Sequence, residues 1–244
     1  MQIKGNIWVD GFNSFGVWFN EVFRPQHPQL FPSKIDTDNY EYVFDNLREL
    51  TGKDSINLNE FVGLFCSFYQ ETGGSFDVCQ VEIGDRAYIE GTAGGTKLAY
   101  AWKERGRGLT GMTWANNFNI FFEYFTGKKG VFDALSEEQV DAFFSKKENC
   151  IKTVQAWIND PRLGATAYAK MRDEGAFWQY GKKVNGADAY ASTFDLRCKT
   201  LLRALQNAKL RNSSVLWLKK YVPYMVAATA LGVGGYLVWQ NYKE

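Results

Sequence analysis

Histidine is nearly missing from this chain. Among 244 residues only His27 carries an imidazole, and it lies between two prolines in Arg24-Pro-Gln-His-Pro28. A histidine pair, a Ser-His-Asp triad and a histidine-based metal site are thereby excluded, and any acid–base chemistry falls to carboxylates. Cysteine is scarce as well: Cys66, Cys79, Cys150 and Cys198 are widely spread and none belongs to a Cys-x-x-Cys pair. A disulfide-dense secreted module and a zinc ribbon are excluded, leaving reduced packing residues as the expectation. There is no excess of charge either, since 28 Lys+Arg stand against 27 Asp+Glu. No broad field draws the chain to nucleic acid. The first ten residues, Met1–Asp10, lack the apolar run of a secretory signal. What the chain does have is aromatics, with 8 Trp, 13 Tyr and 19 Phe. It can bury a sizeable core and is not a disordered protein.

The C-terminal end is of a different character. No charge occurs from Tyr221 to Tyr242, a helical length of roughly 30 Å at 1.5 Å per residue, which is the thickness of a bilayer core. Tyr221 and Tyr224 at one end and Tyr236, Trp239 and Tyr242 at the other suit an interfacial belt. Gly232, Gly234 and Gly235 would permit close helix approach in lipid. We expect a transmembrane anchor over 221–242, preceded by a basic linker over 211–220; the alternative is a buried C-terminal helix. Lys209, Arg211, Lys219 and Lys220 before the span, against Lys243 and Glu244 after it, place residues 1–220 on the cytoplasmic side by the positive-inside rule.

Ahead of the anchor, residues 1–37 are expected to be an irregular segment packed on a domain spanning 38–210. Tyr40, Val43, Phe44 and Leu47 are spaced i, i+3, i+4, i+7, and Gly52 stops that helix. Leu58, Phe61, Val62, Phe65, Phe68 and Tyr69 form the stripe of a second helix, ended by Gly73-Gly74. Residues 75–110 are expected to form a loop-rich lobe with a small hairpin, and Gly91–Lys97 to be a cleft loop, lacking the spacing of a phosphate loop. Asn117–Phe125 suggests a buried helix, Ser136-Glu-Glu-Gln139 a capping box, and Asp160-Pro161 a break. Two more helices are expected over Gly164–Trp178 and Ser192–Leu210. The fold class is therefore mainly α, a single helical domain with a loop-rich cleft region and one C-terminal transmembrane helix.

Glu71 falls at the end of the apolar second helix, beside Phe68 and Tyr69. The negative end of the helix dipole and apolar surroundings both disfavour its charged form, as a general acid requires. The stretch Phe65-Cys-Ser-Phe-Tyr-Gln-Glu-Thr-Gly-Gly74 resembles the helix and His-Glu-Thr-Gly-Gly motif of glycoside hydrolase family 19, the chitinases and related endolysins with a lysozyme-like fold. Arg105-Gly-Arg-Gly-Leu-Thr-Gly-Met-Thr-Trp-Ala-Asn-Asn-Phe118 resembles that family's Gly-Arg-Gly signature. Phe177-Trp-Gln-Tyr-Gly-Lys-Lys-Val-Asn-Gly186, followed by Arg197, is similar to its Asn-Gly-Gly segment and downstream arginine. The three matches occur in the family's order over roughly residues 40–206.

The resemblance implies that Glu71 is the proton donor and that a second carboxylate downstream activates water. Glu82 is the first choice for it, Glu90 the reserve and Glu104 a distant third. Thr113 corresponds to the hydroxyl residue that positions the water, Asn117 and Asn185 to sugar-binding amides, and Arg197 to the arginine that pairs with the acidic centre. Trp102 and Trp114 are candidates for stacking on sugar faces. Three departures stand out: Gln70 replaces the motif's histidine, Gly111 a substrate-contacting glutamine, and Ala187 the second glycine. The implied activity is cofactor-free, metal-free hydrolysis of a β-1,4-linked amino-sugar polymer. With the anchor it suggests a peptidoglycan hydrolase of the phage endolysin or virion-associated kind, partnered by a lipid membrane and other virion proteins. The alternatives are a chitinase and a non-catalytic virion structural or glycan-binding protein.

Overall fold

Phe15, Phe19 and Phe23 recur every fourth residue, and the backbone coils so that all three are buried. Helix α1 (Phe15–Trp18), capped by the Ser14 side chain, continues through a π-helical turn at Phe19–Phe23 into α2 (Arg24–Gln26). With the short strand β1 (Ile7–Val9), this corrects the expectation that residues 1–37 are irregular. Gly16 and Asn20 within it, and Pro25 just beyond, obscure a four-residue aromatic period that burial alone enforces. The computed structural model describes residues 2–12, 14–82, 84, 86–91, 100–208 and 210–212.

Helix α3 (Thr37–Asp45) starts on an Asp36 cap, breaks at Asn46 and resumes as α4 (Leu47–Thr51), which ends at Gly52. Next comes α5 (Leu58–Glu71), opened by a capping box between Asn57 and Glu60 and buried without interruption from Glu60 to Tyr69. A helix apolar on all sides belongs in a core. Phe15, Tyr40, Phe44 and Phe76 pack their rings against its Phe61 and Phe65. Its one charged buried residue, Glu60, is satisfied by Lys53 Nζ at 2.7 Å and the Tyr168 hydroxyl at 3.0 Å.

A loop-rich stretch follows, whose described residues hold α6 (Arg86–Ile89) and a 3-10 turn at Trp102–Glu104. Helix α7 (Ala115–Thr126) buries Phe118, Ile120, Phe121 and Phe122 but leaves Tyr124 and Phe125 exposed. Then come α8 (Val131–Ala134), α9 (Glu137–Phe144), with the expected Ser136–Gln139 capping box, and α10 (Lys147–Asn159), which stops before Asp160-Pro161. The helix expected over Gly164–Trp178 is two: α11 (Ala165–Glu174) ends at a left-handed Gly175, and α12 (Phe177–Asn185) follows. The last, α13 (Asp188–Asn207), begins four residues before the expected Ser192 and packs along α5.

Strand β2 (Leu210–Asn212) pairs antiparallel with β1, Ile7 opposite Asn212 and Val9 opposite Leu210. The domain therefore reaches Asn212, two residues into the segment expected to be a linker, because backbone pairing holds it there. The expected anchor over 221–242 lies outside the described residues, as do positions 92–99 of the glycine-rich loop. Among the described residues, no helix is long and apolar enough to cross a membrane.

Candidate active site

Glu71 is the last residue of α5. Thr72 closes the helix, and Gly73 and Gly74 take positive φ. The carboxylate is thereby left on the wall of a cleft of about 710 Å³. The Tyr190 hydroxyl, one turn into α13, donates to Glu71 Oε1 at 2.5 Å. Burial pushes the Glu71 carboxyl above its ordinary value, against the downward pull of that hydrogen bond. The Tyr190 phenol is itself raised, first by burial and then by the neighbouring Glu71 charge, so it stays protonated as a donor.

Glu82 lines the same cleft. Its backbone N–H donates to Gly106 O and its Oε2 accepts from Gly106 N–H, both at 2.8 Å. The Tyr100 hydroxyl donates to the same Oε2. Burial and then this bond to Glu82 raise the Tyr100 phenol, which keeps its proton. Two donors thus converge on one oxygen of Glu82. The loop before Glu82 is tied to Glu71 as well: Gln80 Nε2 donates to Glu71 O at 3.2 Å, and Gln80 O accepts from Gly108 N–H at 2.8 Å.

The segment 105–114 meets both carboxylates with bare backbone. A Cβ at Gly111 would lie 2.5 Å from Glu71 Oε2, and Gly111 has φ +55°. A Cβ at Gly106 would lie 3.4 Å from Glu82 Oε2. Any side chain at 111, glutamine included, would press on the Glu71 carboxylate as it stands. The segment is pinned from behind, where Arg105 and Arg107 both reach Asp141 Oδ1, at 2.8 and 2.5 Å. Burial opposes ionisation of Asp141, yet the two guanidiniums hold its carboxyl below its usual range.

Thr113, Trp114, Asn117 and Asn185 line the cleft together with Glu71 and Glu82. Asn117 Nδ2 donates to Thr113 O at 2.8 Å. Trp114 is half exposed, adopts φ +73° and meets the Tyr100 ring edge-on at 4.8 Å. A positive φ at a tryptophan is a strained conformation that surrounding contacts must hold. The other expected residues do not line the cleft. Trp102 packs under the Arg105 guanidinium at 4.3 Å, Glu90 pairs with Arg86 at 3.0 Å, and Glu104 accepts from Ala115 N–H at 3.1 Å, capping α7. Arg197 is not paired with the acidic centre: its guanidinium donates to Gln70 Oε1 and to the Leu30 carbonyl. Its charge reaches the centre only indirectly, as a minor influence opposing the net rise of the Tyr190 phenol.

Tyr190 and Tyr100, the hydroxyls on the two carboxylates, were not among the sequence candidates. Tyr190, Phe194 and Arg197 lie at i, i+4 and i+7 on α13, a spacing that becomes visible once the helix is begun at Asp188. Nothing in the sequence around Tyr100 marks it. Among the described residues, no group of three or more His, Cys, Asp or Glu side chains is placed to hold a metal ion. No protein-family model, curated protein or solved structure matches this chain.

Proposed function

We propose that this chain is a peptidoglycan hydrolase with a lysozyme-like helical domain akin to glycoside hydrolase family 19, tethered to a lipid membrane by residues 221–242. The observation that carries this reading is that Glu71, held toward its protonated form by burial, shares one cleft with a second carboxylate, Glu82. Glu71 gives its proton to the glycosidic oxygen as the bond to the anomeric carbon breaks. Glu82 takes a proton from the water that attacks that carbon, with Thr113 beside it to orient the water. A carboxyl separation of about 6.5–9.5 Å would leave space for that water and invert the anomeric centre. Asn117 and Asn185 offer amides to sugar hydroxyls, and Trp114 offers a face. No cofactor enters the scheme. The tether favours a virion-associated or lysis enzyme over a secreted chitinase.

The test is muropeptide release from purified Gram-negative peptidoglycan by the full chain in mild detergent, beside its Glu71→Gln form, analysed by mass spectrometry. Release by the parent alone, with new reducing ends, supports the assignment and identifies the sugar attacked. Release of N-acetylglucosamine oligomers from chitin alone would move the substrate to chitin. No cleavage of either polymer by folded protein would reduce the cleft to a glycan-binding one.

A further inference from the structure

The four cysteines, far apart in sequence, are two pairs in space. Cys66 on α5 and Cys198 on α13 are both buried and lie near each other within the core. The second pair is unlike the first. Cys150, buried in the first turns of α10, has its Sγ 3.1 Å from that of Cys79, which is partly exposed and lies 71 residues earlier. Both thiols sit at the carbonyl end of α9, Cys150 Sγ 2.8 Å from Phe144 O and Cys79 Sγ 3.8 Å from Ser145 O. The turn that presents Cys79 is fixed by its own bonds: Cys79 N–H donates to Asp77 Oδ1 at 2.9 Å and Asp77 N–H to Ser75 Oγ at 3.3 Å.

We propose that Cys79 and Cys150 are a disulfide-forming pair, and that their oxidation staples the loop carrying Gln80 and Glu82 to α10. The sulfurs need close by only about 1 Å to reach bonding distance near 2.05 Å. A small-molecule disulfide such as oxidised glutathione serves as oxidant. The accessible Cys79 thiolate attacks one of its sulfurs, forming a mixed disulfide and releasing one glutathione thiolate. Cys150 then gives up its proton and attacks the Cys79 sulfur, releasing the second glutathione. Two protein thiols become one disulfide, and one glutathione disulfide becomes two thiols. Burial holds the Cys150 thiol above its usual range, which leaves the first attack to Cys79. Gln80 bonds to both the Glu71 carbonyl and Gly108, so the staple sits directly behind the wall that holds Glu82. The inference stands apart from the hydrolase assignment, because its readout is covalent.

Full-length protein in detergent, incubated with oxidised glutathione at mildly alkaline pH, should lose two of its four free thiols. Its intact mass should fall by two hydrogens, and digestion should yield one cross-linked peptide joining Cys79 to Cys150. The Cys150→Ser form should stop at a glutathione adduct on Cys79, and the Cys79→Ser form should keep all its remaining thiols. Four free thiols after oxidation, a wild-type product arrested as the glutathione adduct, or a cross-link between Cys66 and Cys198 would each overturn the proposal.

Discussion

The hydroxyl of Tyr190 and the carboxylate of Glu71 are joined by a 2.5 Å hydrogen bond across 119 residues of chain. The tyrosine comes from the first turn of α13 and the glutamate from the last residue of α5. The bond opposes the effect of burial, pulling the Glu71 carboxyl down while its surroundings push it up. Removing it therefore has a defined sign. Tyr190→Phe should raise the Glu71 pKa further and move the alkaline limb of the pH–rate profile to higher pH. The loss of orientation should cut the maximal rate about tenfold, or about 1.4 kcal/mol. Loss of one hydrogen bond should lower stability by only about 1 kcal/mol. An unmoved alkaline limb would show that Tyr190 does not tune Glu71.

Glu71 also makes stability depend on pH. Its carboxyl keeps a proton to higher pH in the folded chain than in the unfolded one. Between those two values the native state binds more protons, so stability falls as pH rises. The contribution is complete below the ordinary glutamate value and lost as pH climbs through the raised one. Glu71→Gln should flatten this part of the curve, read as melting temperature against pH from about 4 to 7. Parallel curves for parent and variant would contradict it.

Gly111 and Gly106 should respond differently to a methyl group. Gly111→Ala adds a Cβ 2.5 Å from Glu71 Oε2 at a backbone of φ +55°, and left-handed backbone alone costs a side chain about 1–2 kcal/mol. Activity should fall much further than stability, because the carboxylate itself must shift. Gly106→Ala places its Cβ 3.4 Å from Glu82 Oε2 without a positive φ and should be the milder change in both assays. The comparison needs only kcat and a urea midpoint for each variant.

Asp141 is the sole carboxylate on Arg105 and Arg107 among the described ion pairs, and the Arg107 side chain is only 2% exposed. Asp141→Asn leaves the buried Arg107 guanidinium without its counter-charge, and because Asp141 itself is 44% exposed and screened by solvent the cost is about 1–2 kcal/mol. For the parent protein the sign with pH is opposite to that of Glu71. A carboxyl held below its usual range stabilises above the ordinary aspartate value and loses that effect as pH falls through the lowered one. Urea unfolding at neutral and acidic pH should show the variant weaker at neutrality and the gap closing in acid.

Removal of the apolar tail should leave the domain intact if the cut respects β2. A chain ending at Asn212 keeps all three pairs of the β1–β2 ladder, whereas one ending at 208 loses them. At up to about 1 kcal/mol per cross-strand pair, the shorter form should be less stable by about 1–2 kcal/mol. Thermal melts followed by circular dichroism distinguish the two, and equal midpoints would deny the strand any role.

The helices with a clean apolar period and a polar cap were legible in the sequence. The stripe from Leu58 to Tyr69 and the Ser136–Gln139 box are both present in the fold. The N-terminal helical turns were not, because Gly16 and Asn20 fall among Phe15, Phe19 and Phe23 and Pro25 follows them, all arguing locally for loop. The break at Gly175 was hidden because an isolated glycine inside a helical pattern can be tolerated as well as terminate it. Within the cleft, motif spacing brought forward Glu71, Glu82, Thr113, Trp114, Asn117 and Asn185, which do line one cavity. Trp102 and Arg197 were placed too close to it, since spacing does not tell a stacking face from a packing one. The hydroxyls of Tyr100 and Tyr190 depend on contacts 18 and 119 residues long, which no local pattern encodes.

The pairing of Ile7 with Asn212 also has a mechanical meaning. Chain beyond Asn212 must leave the domain beside its first strand, so any tension from a tether reaches the domain through three residue pairs before it reaches a helix. Opposite Asn212 stands Ile7, fully buried, and two residues on stands Val9, nearly so. That ladder is the domain's fuse: it shields α13 and the cleft while it holds, and pulled hard enough from the tail it should open first, before the load passes to the end of α13.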